Sequence, residues 1–134
     1  MNRETPKLLV VAGTTMTSEL ARYALKVAVR LDLEIIVLFI VDKQLKKEDI
    51  HEYQQARAKF EKMIEKEMAE FSALAWRSAV KVTTVVDEDD RELAISKIKQ
   101  QEPEIRIVLS ATSRKQLNED FGNGHPRLTV IRRE

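Results

Sequence analysis

The stretch EIIVLFIV, residues 34–41, holds seven apolar residues in unbroken succession. LLVVA at residues 8–12 is shorter but equally free of polar interruption. A strand with one face in water alternates apolar and polar residues. Strands without alternation must be buried on both faces, as in a parallel sheet covered by helices. Two further apolar runs follow at residues 80–86 (VKVTTVV) and 105–110 (IRIVLS), and a fifth at 127–133 (RLTVIRR) alternates and carries arginines. The partial alternation of 80–86 places that strand near a sheet edge, and the last run reads as an exposed or pairing edge.

Helical spacing fills the intervals. Over residues 17–31, Leu20, Ala24, Val27, Ala28 and Leu31 form one stripe, with Thr17 or Ser18 as cap and Asp32 at the exit. Residues 46–76 predict a long amphipathic helix that buries Ile50, Tyr53, Phe60, Met63, Ile64, Met68, Phe71 and Leu74. Trp76, the single tryptophan, is expected to pack at its end. A third helix over residues 90–101 turns Leu93, Ala94 and Ile98 inward, and Pro103 follows it. The order is β-α-β-α-β-α-β-loop-β. The expected fold is a three-layer α/β domain covering residues 1–134, with helices on both faces of an open parallel sheet.

A chain of 134 residues is long enough for one core, and its net charge of +1 gives no basic surplus for nucleic acid. The absence of cysteine excludes disulfides and thiolate chemistry and fits a reducing cytoplasm, the expected location. No run reaches the roughly 20 apolar residues that span a bilayer, so membrane insertion is not expected.

The segments KLLVVAGTTMTSELARYALKVAVRLDLEIIVLFIVD and VTTVVDEDDRELAISKIKQQEPEIRIVLSATS resemble the universal stress protein family in the order and spacing of strands, turn and helices. The resemblance implies an adenine-nucleotide α-hydrolase-like sheet of five parallel strands in the order 3-2-1-4-5. It also implies a homodimer through the last strand and, in some members, ATP between the loops after strands one and four. Open α/β sheets hold ligands at that same switch point.

Carried over residue by residue, the nucleotide site would use Gly13, Thr14, Val41, Ser110, Ser113 and Arg114. The sequence departs from the family's nucleotide-binding pattern at three places. Ala12 stands where that branch has an aspartate, and Ser110 and Ser113 stand where its loop has glycines. The final helix is shortened or missing, because His125-Pro126 leads directly into the last strand. Glycines allow positive φ and close approach of backbone N–H groups to phosphate, and a helix N-terminus adds its dipole. The expectation is therefore a degenerate site with no cofactor, in a non-catalytic dimeric regulatory or interaction module. The alternative is a stress protein that still binds ATP or AMP through the loops after strands one and four. An enzyme ranks last, since no nucleophile, base and oxyanion donor converge.

Other polar groups have plainer readings. Asp87, Glu88, Asp89 and Asp90 precede a helix as caps and dipole partners, without the ligand spacing or glycine of a metal loop. His51 and His125 have no motif partner. Thr14, Thr15, Thr17 and Ser18 cap a helix, in a turn that could also meet an anion. Arg114 and Lys115 read as surface charges. The proposed dimer interface uses Leu128, Val130 and Arg132, with Arg127, Arg132 and Arg133 limiting uncontrolled pairing. The connection at residues 111–126 is just long enough for a parallel crossover, and otherwise the last strand would swap onto a partner.

Overall fold

The computed structural model describes residues 5–13, 15–41, 50–88, 90–110 and 127–130. Its strands are β1 (Lys7–Gly13), β2 (Glu34–Ile40), β3 (Val82–Asp87), β4 (Ile105–Ser110) and β5 (Arg127–Val130). Its helices are α1 (Ser18–Leu31), α2 (Ile50–Arg77) and α3 (Arg91–Gln101). The strands form one sheet in the order β3-β2-β1-β4-β5, so β3 is an edge strand as its alternation predicts.

The parallel part of the sheet has four strands, 3-2-1-4, and not five. β5 runs antiparallel to β4, with Ser110 level with Arg127 and Ile107 level with Val130. The register gives the reason. A parallel β5 would start beside Ile105, which requires the chain to travel back along the whole of β4. Here it re-enters the sheet at the end where β4 leaves it, and that needs no crossover. Of the expected interface residues, Leu128 and Val130 lie in β5, while Arg132 lies outside the described residues.

The two-sided burial expected of β1 and β2 is realised by alternation. Leu8, Val10, Ile35, Val37 and Phe39 face α1 and α2, whereas Leu9, Val11, Ile36 and Leu38 face α3. Between β1 and β4 the pairing slips where Lys7 is level with Ile105 and Leu8 with Ile107. The extra residue, Arg106, is exposed, and the slip lets Ile105 and Val108 share the α3 face while Ile107 and Leu109 turn to the other.

α2 contributes Phe60, Ile64, Met68 and Phe71 to the first core, and Ala75 continues the stripe. Four expected core positions turn outward. Leu31 is exposed in the last turn of α1, and Leu33 takes the buried place beyond it. Leu74 and Leu93 are exposed because the neighbouring Phe71, Ala75, Ala94 and Ile98 already define the inward stripes of α2 and α3. Trp76 is 85% exposed, next to the buried Ala75 on a different side of the helix. The side chain of Ile50 lies outside the described residues, as do residues 46–49.

Helix ends largely follow the sequence. The Thr17 hydroxyl accepts from the Leu20 amide at 3.2 Å, and Asp32 adopts a left-handed conformation at φ 55°. α2 ends on Ala79 at φ 58°, where the Ala79 amide donates to the Trp76 carbonyl and the Val80 amide to the Ala75 carbonyl. That is a Schellman turn with alanine where glycine is usual. Asp90 occupies the N-cap position of α3, but its side chain makes no capping hydrogen bond. Among the described residues no helix is long and apolar enough to cross a membrane.

Candidate functional site

The order β3-β2-β1-β4 reverses direction between β1 and β4, and the carboxyl ends of those two strands flank the crevice where such sheets take ligands. At the end of β1 the register with β2 slips between Val11 and Gly13, leaving Ala12 as the extra residue. Ala12 is buried in the core under α1 and α2. Gly13 has φ +74°, which an L side chain adopts only at a cost. The chain thus makes a sharp turn out of β1, and the position that the family resemblance gives to an aspartate holds a buried methyl group.

The turn that follows holds the feature that the sequence did not reveal. The Glu67 carboxylate reaches from α2 to this turn, accepting the Met16 amide at 2.9 Å and the Thr15 hydroxyl at 2.5 Å. A hydroxyl and an amide directly before a helix N-terminus are the donors an oxyanion would use. Here an internal carboxylate supplies that anion. Glu67 stands next to Met68 and three residues after Ile64, at the border of the apolar stripe of α2. That border position was the available signal, but α2 is so rich in acids and lysines that it did not stand out. Beside this latch a cleft of about 390 Å³ opens between α1 and α2, lined in part by Thr17, Arg22, Glu67 and Glu70.

Of the residues expected to hold a nucleotide, Gly13, Val41 and Ser110 are described, and Thr14, Ser113 and Arg114 lie outside the described residues. The first three are gathered at one end of the sheet, at or just beyond the carboxyl ends of β1, β2 and β4. Their groups are largely engaged. Val41 is buried in the core, and its amide donates to the Asp87 carbonyl at 2.9 Å. Ser110 is the last residue of β4 and no loop residue; it is half-buried, level with Val11 on one side and Arg127 on the other.

The acidic stretch after β3 is tied into the fold. The Asp87 carboxylate lies 3.4 Å from the Lys97 ammonium, which joins β3 to α3. The Glu88 carboxylate accepts from the Arg57 guanidinium at 2.7 Å and from the Tyr53 hydroxyl, which joins the same end of the sheet to α2. The hydrogen bond to Glu88, together with burial and the charge of Glu88, pushes the Tyr53 phenol above its usual range. Asp89 lies outside the described residues. His51 is exposed, 3.3 Å from Gln55 one turn along α2, and His125 lies outside the described residues.

Among solved structures, the chain is similar to a protein of the universal stress protein family from Burkholderia pseudomallei. The TM-score is 0.59 at 12% sequence identity, over 78% of this chain and 80% of that one. It is also similar to universal stress protein UspA from Lactobacillus plantarum, with a TM-score of 0.42 and 16% identity over 81% of this chain and 80% of that one. No protein-family model matches the chain, and no curated protein matches its sequence. At these identities the first likeness shows the fold, and the chain has a universal-stress-protein-like fold.

Proposed function

We propose that this protein is a non-catalytic, dimeric interaction or regulatory module of the universal stress type, acting in the cytoplasm, whose nucleotide site has been lost. The observation that carries this reading is the Glu67 carboxylate on the Thr15 hydroxyl and the Met16 amide. A phosphate arriving at this turn would have to displace a carboxylate of like charge, or accept its repulsion at close range. The buried methyl group of Ala12, in place of a polar contact, supports the same reading. So do the two serines in place of loop glycines. The dimer is taken to form by pairing of sheet edges, and the sequence favours the C-terminal strand with Leu128, Val130 and Arg132.

The test is to denature freshly purified protein, chromatograph what it releases, and titrate ATP, ADP and AMP into the native chain by calorimetry. No released nucleotide and no binding heat are expected. Co-purifying or tightly titrating nucleotide would establish the second reading, an ATP or AMP binder that uses the preserved left-handed turn at Gly13.

A further inference from the structure

The outer edge of β3 combines several features that nothing else in the fold uses. Among the described residues no strand pairs with β3 on the side away from β2. Thr83 and Thr84 are exposed, Val86 is 37% exposed, and Trp76 stands 85% exposed beside the start of the strand. An open groove of about 530 Å³ lies at the start of the strand, lined by Ser72, Trp76, Ala79, Val80, Lys81 and Val82. No charged side chain interrupts VTTVVD before its final aspartate. Edge strands with no such interruption are prone to pair with another strand.

The backbone fixes which residues are ready to pair. The Lys81 carbonyl accepts from Ile35 and the Asp87 carbonyl from Val41, both at 2.9 Å, so the odd-numbered residues turn their polar groups toward β2. By the alternation of a strand, Val82, Thr84 and Val86 present their N–H and C=O groups to the open side. An antiparallel ladder centred on Thr84 then makes hydrogen-bonded pairs of Thr84 with Thr84 and of Val82 with Val86.

We propose that β3 is a self-association edge, pairing antiparallel with β3 of a second copy of this chain about a two-fold axis through Thr84. Charge complementarity selects this register. Lys81 of each copy falls opposite Asp87 of the other, both on the α3 side of the sheet, and those are the two charges that bracket the strand. Lys81 is three-quarters exposed and 3.7 Å from Glu34, so it can turn to a new partner at small cost. Asp87 keeps its contact with Lys97 and gains a second cation. On the opposite face the same register carries Val86 of the second copy to Val82, beside Trp76 and into the groove. One register therefore pairs the charges, satisfies the edge amides and covers the exposed valine and tryptophan. The inference rests on the dimeric reading above and names a different edge for it.

Sedimentation equilibrium of the full chain, followed by paired charge variants, tests this. The wild type is expected to form a closed dimer. Lys81→Asp and Asp87→Lys, each alone, should weaken it about ten-fold or more, since each sets two pairs of like charges opposite one another. Mixed one to one, the two variants should recover a heterodimer, because both cross-strand pairs are then attractive. Thr84→Pro removes an outward amide and no bond to β2, so it should give a folded monomer by circular dichroism. A monomeric wild type, an open-ended aggregate, or no recovery on mixing overturns the proposal. So does a dimer dissociated by Val130→Pro and untouched by Thr84→Pro, which would assign the interface to β5. A monomeric wild type would take the dimeric part of the functional reading with it, whereas the mixing and β5 outcomes overturn only the edge assigned here, and none of them bears on the nucleotide titration.

Discussion

The Glu67 carboxylate and the Met16 amide, 51 positions apart in sequence, stand 2.9 Å from each other. The contact ties the middle of α2 to the turn that starts α1, and both helices cover the same face of the sheet. Glu67→Ala leaves the amide and the Thr15 hydroxyl without this acceptor. We expect a loss of about 1–2 kcal/mol, the range for hydrogen bonds to a charged group that remains partly solvated. Glu67→Gln should lose less, because its amide oxygen still accepts one N–H. Urea unfolding followed by circular dichroism gives both values. Unchanged stability in Glu67→Ala would mean that water replaces the latch without penalty.

Alanine at a left-handed position offers a gain. Ala79 holds φ 58° in the turn that ends α2, and its methyl group is strained there as a glycine would not be. Ala79→Gly should raise stability by about 0.5–1 kcal/mol, the relief of strain exceeding the added freedom of the unfolded chain. A lower melting temperature would show that the strain at this turn is smaller than supposed.

At the other end of the sheet, the Lys7 ammonium lies 2.9 Å from Glu102 and 3.0 Å from Glu104. The hydrogen bond to Glu102 is the largest effect; burial opposes it, and Glu104 with both charges adds to it, so Lys7 is held well above the usual lysine range. A raised folded value means that the protonated form is favoured by folding. Its contribution is complete below the unfolded lysine value of about 10.4 and is lost as pH rises through the folded one. Lys7→Met should therefore be less stable than wild type by a constant margin at neutral pH, and on the alkaline side the margin should close only in strong alkali. A margin that closed near neutrality would contradict the pairing.

Two aromatic residues five positions apart in α2 should behave in opposite ways. Phe71 is 2% exposed, and Phe71→Ala should cost about 3–5 kcal/mol through lost transfer energy and the cavity left behind. Trp76→Ala, measured at low protein concentration, should change stability by no more than about 0.5 kcal/mol. At high concentration it should weaken self-association. Equal destabilisation by both would mean that Trp76 packs after all.

Much of the architecture is legible in the sequence. Short unbroken runs rich in β-branched residues, such as EIIVLFIV, read as two-sided strands, and Thr17, Asp32 and Pro103 punctuate the helices as expected. The direction of β5 is not legible, because an alternating RLTV segment reads the same either way and only the register with Ser110 decides. The outward turns of Leu31, Leu74, Leu93 and Trp76 were missed for a shared reason. Hydrophobicity shows which residues favour burial, but a helix has one covered face, and Ala24 and Ala28 in α1, Phe71 and Ala75 in α2, and Ala94 and Ile98 in α3 had taken it. At the site, Gly13 was legible as a turn glycine, since its positive φ leaves few alternatives. Glu67 was not, because its role depends on a contact between segments that no local spacing encodes.

The pairing of Ser110 with Arg127 has a consequence for how this chain can be altered. The segment between them departs from and returns to neighbouring strands, about 5 Å apart. Its length is thus uncoupled from the sheet, unlike that of α3, which must carry the chain from β3 across to β4. Foreign sequence grafted between these two residues would leave every strand in place. What the sheet fixes is the two ends, Ser110 and Arg127, and not the number of residues that join them.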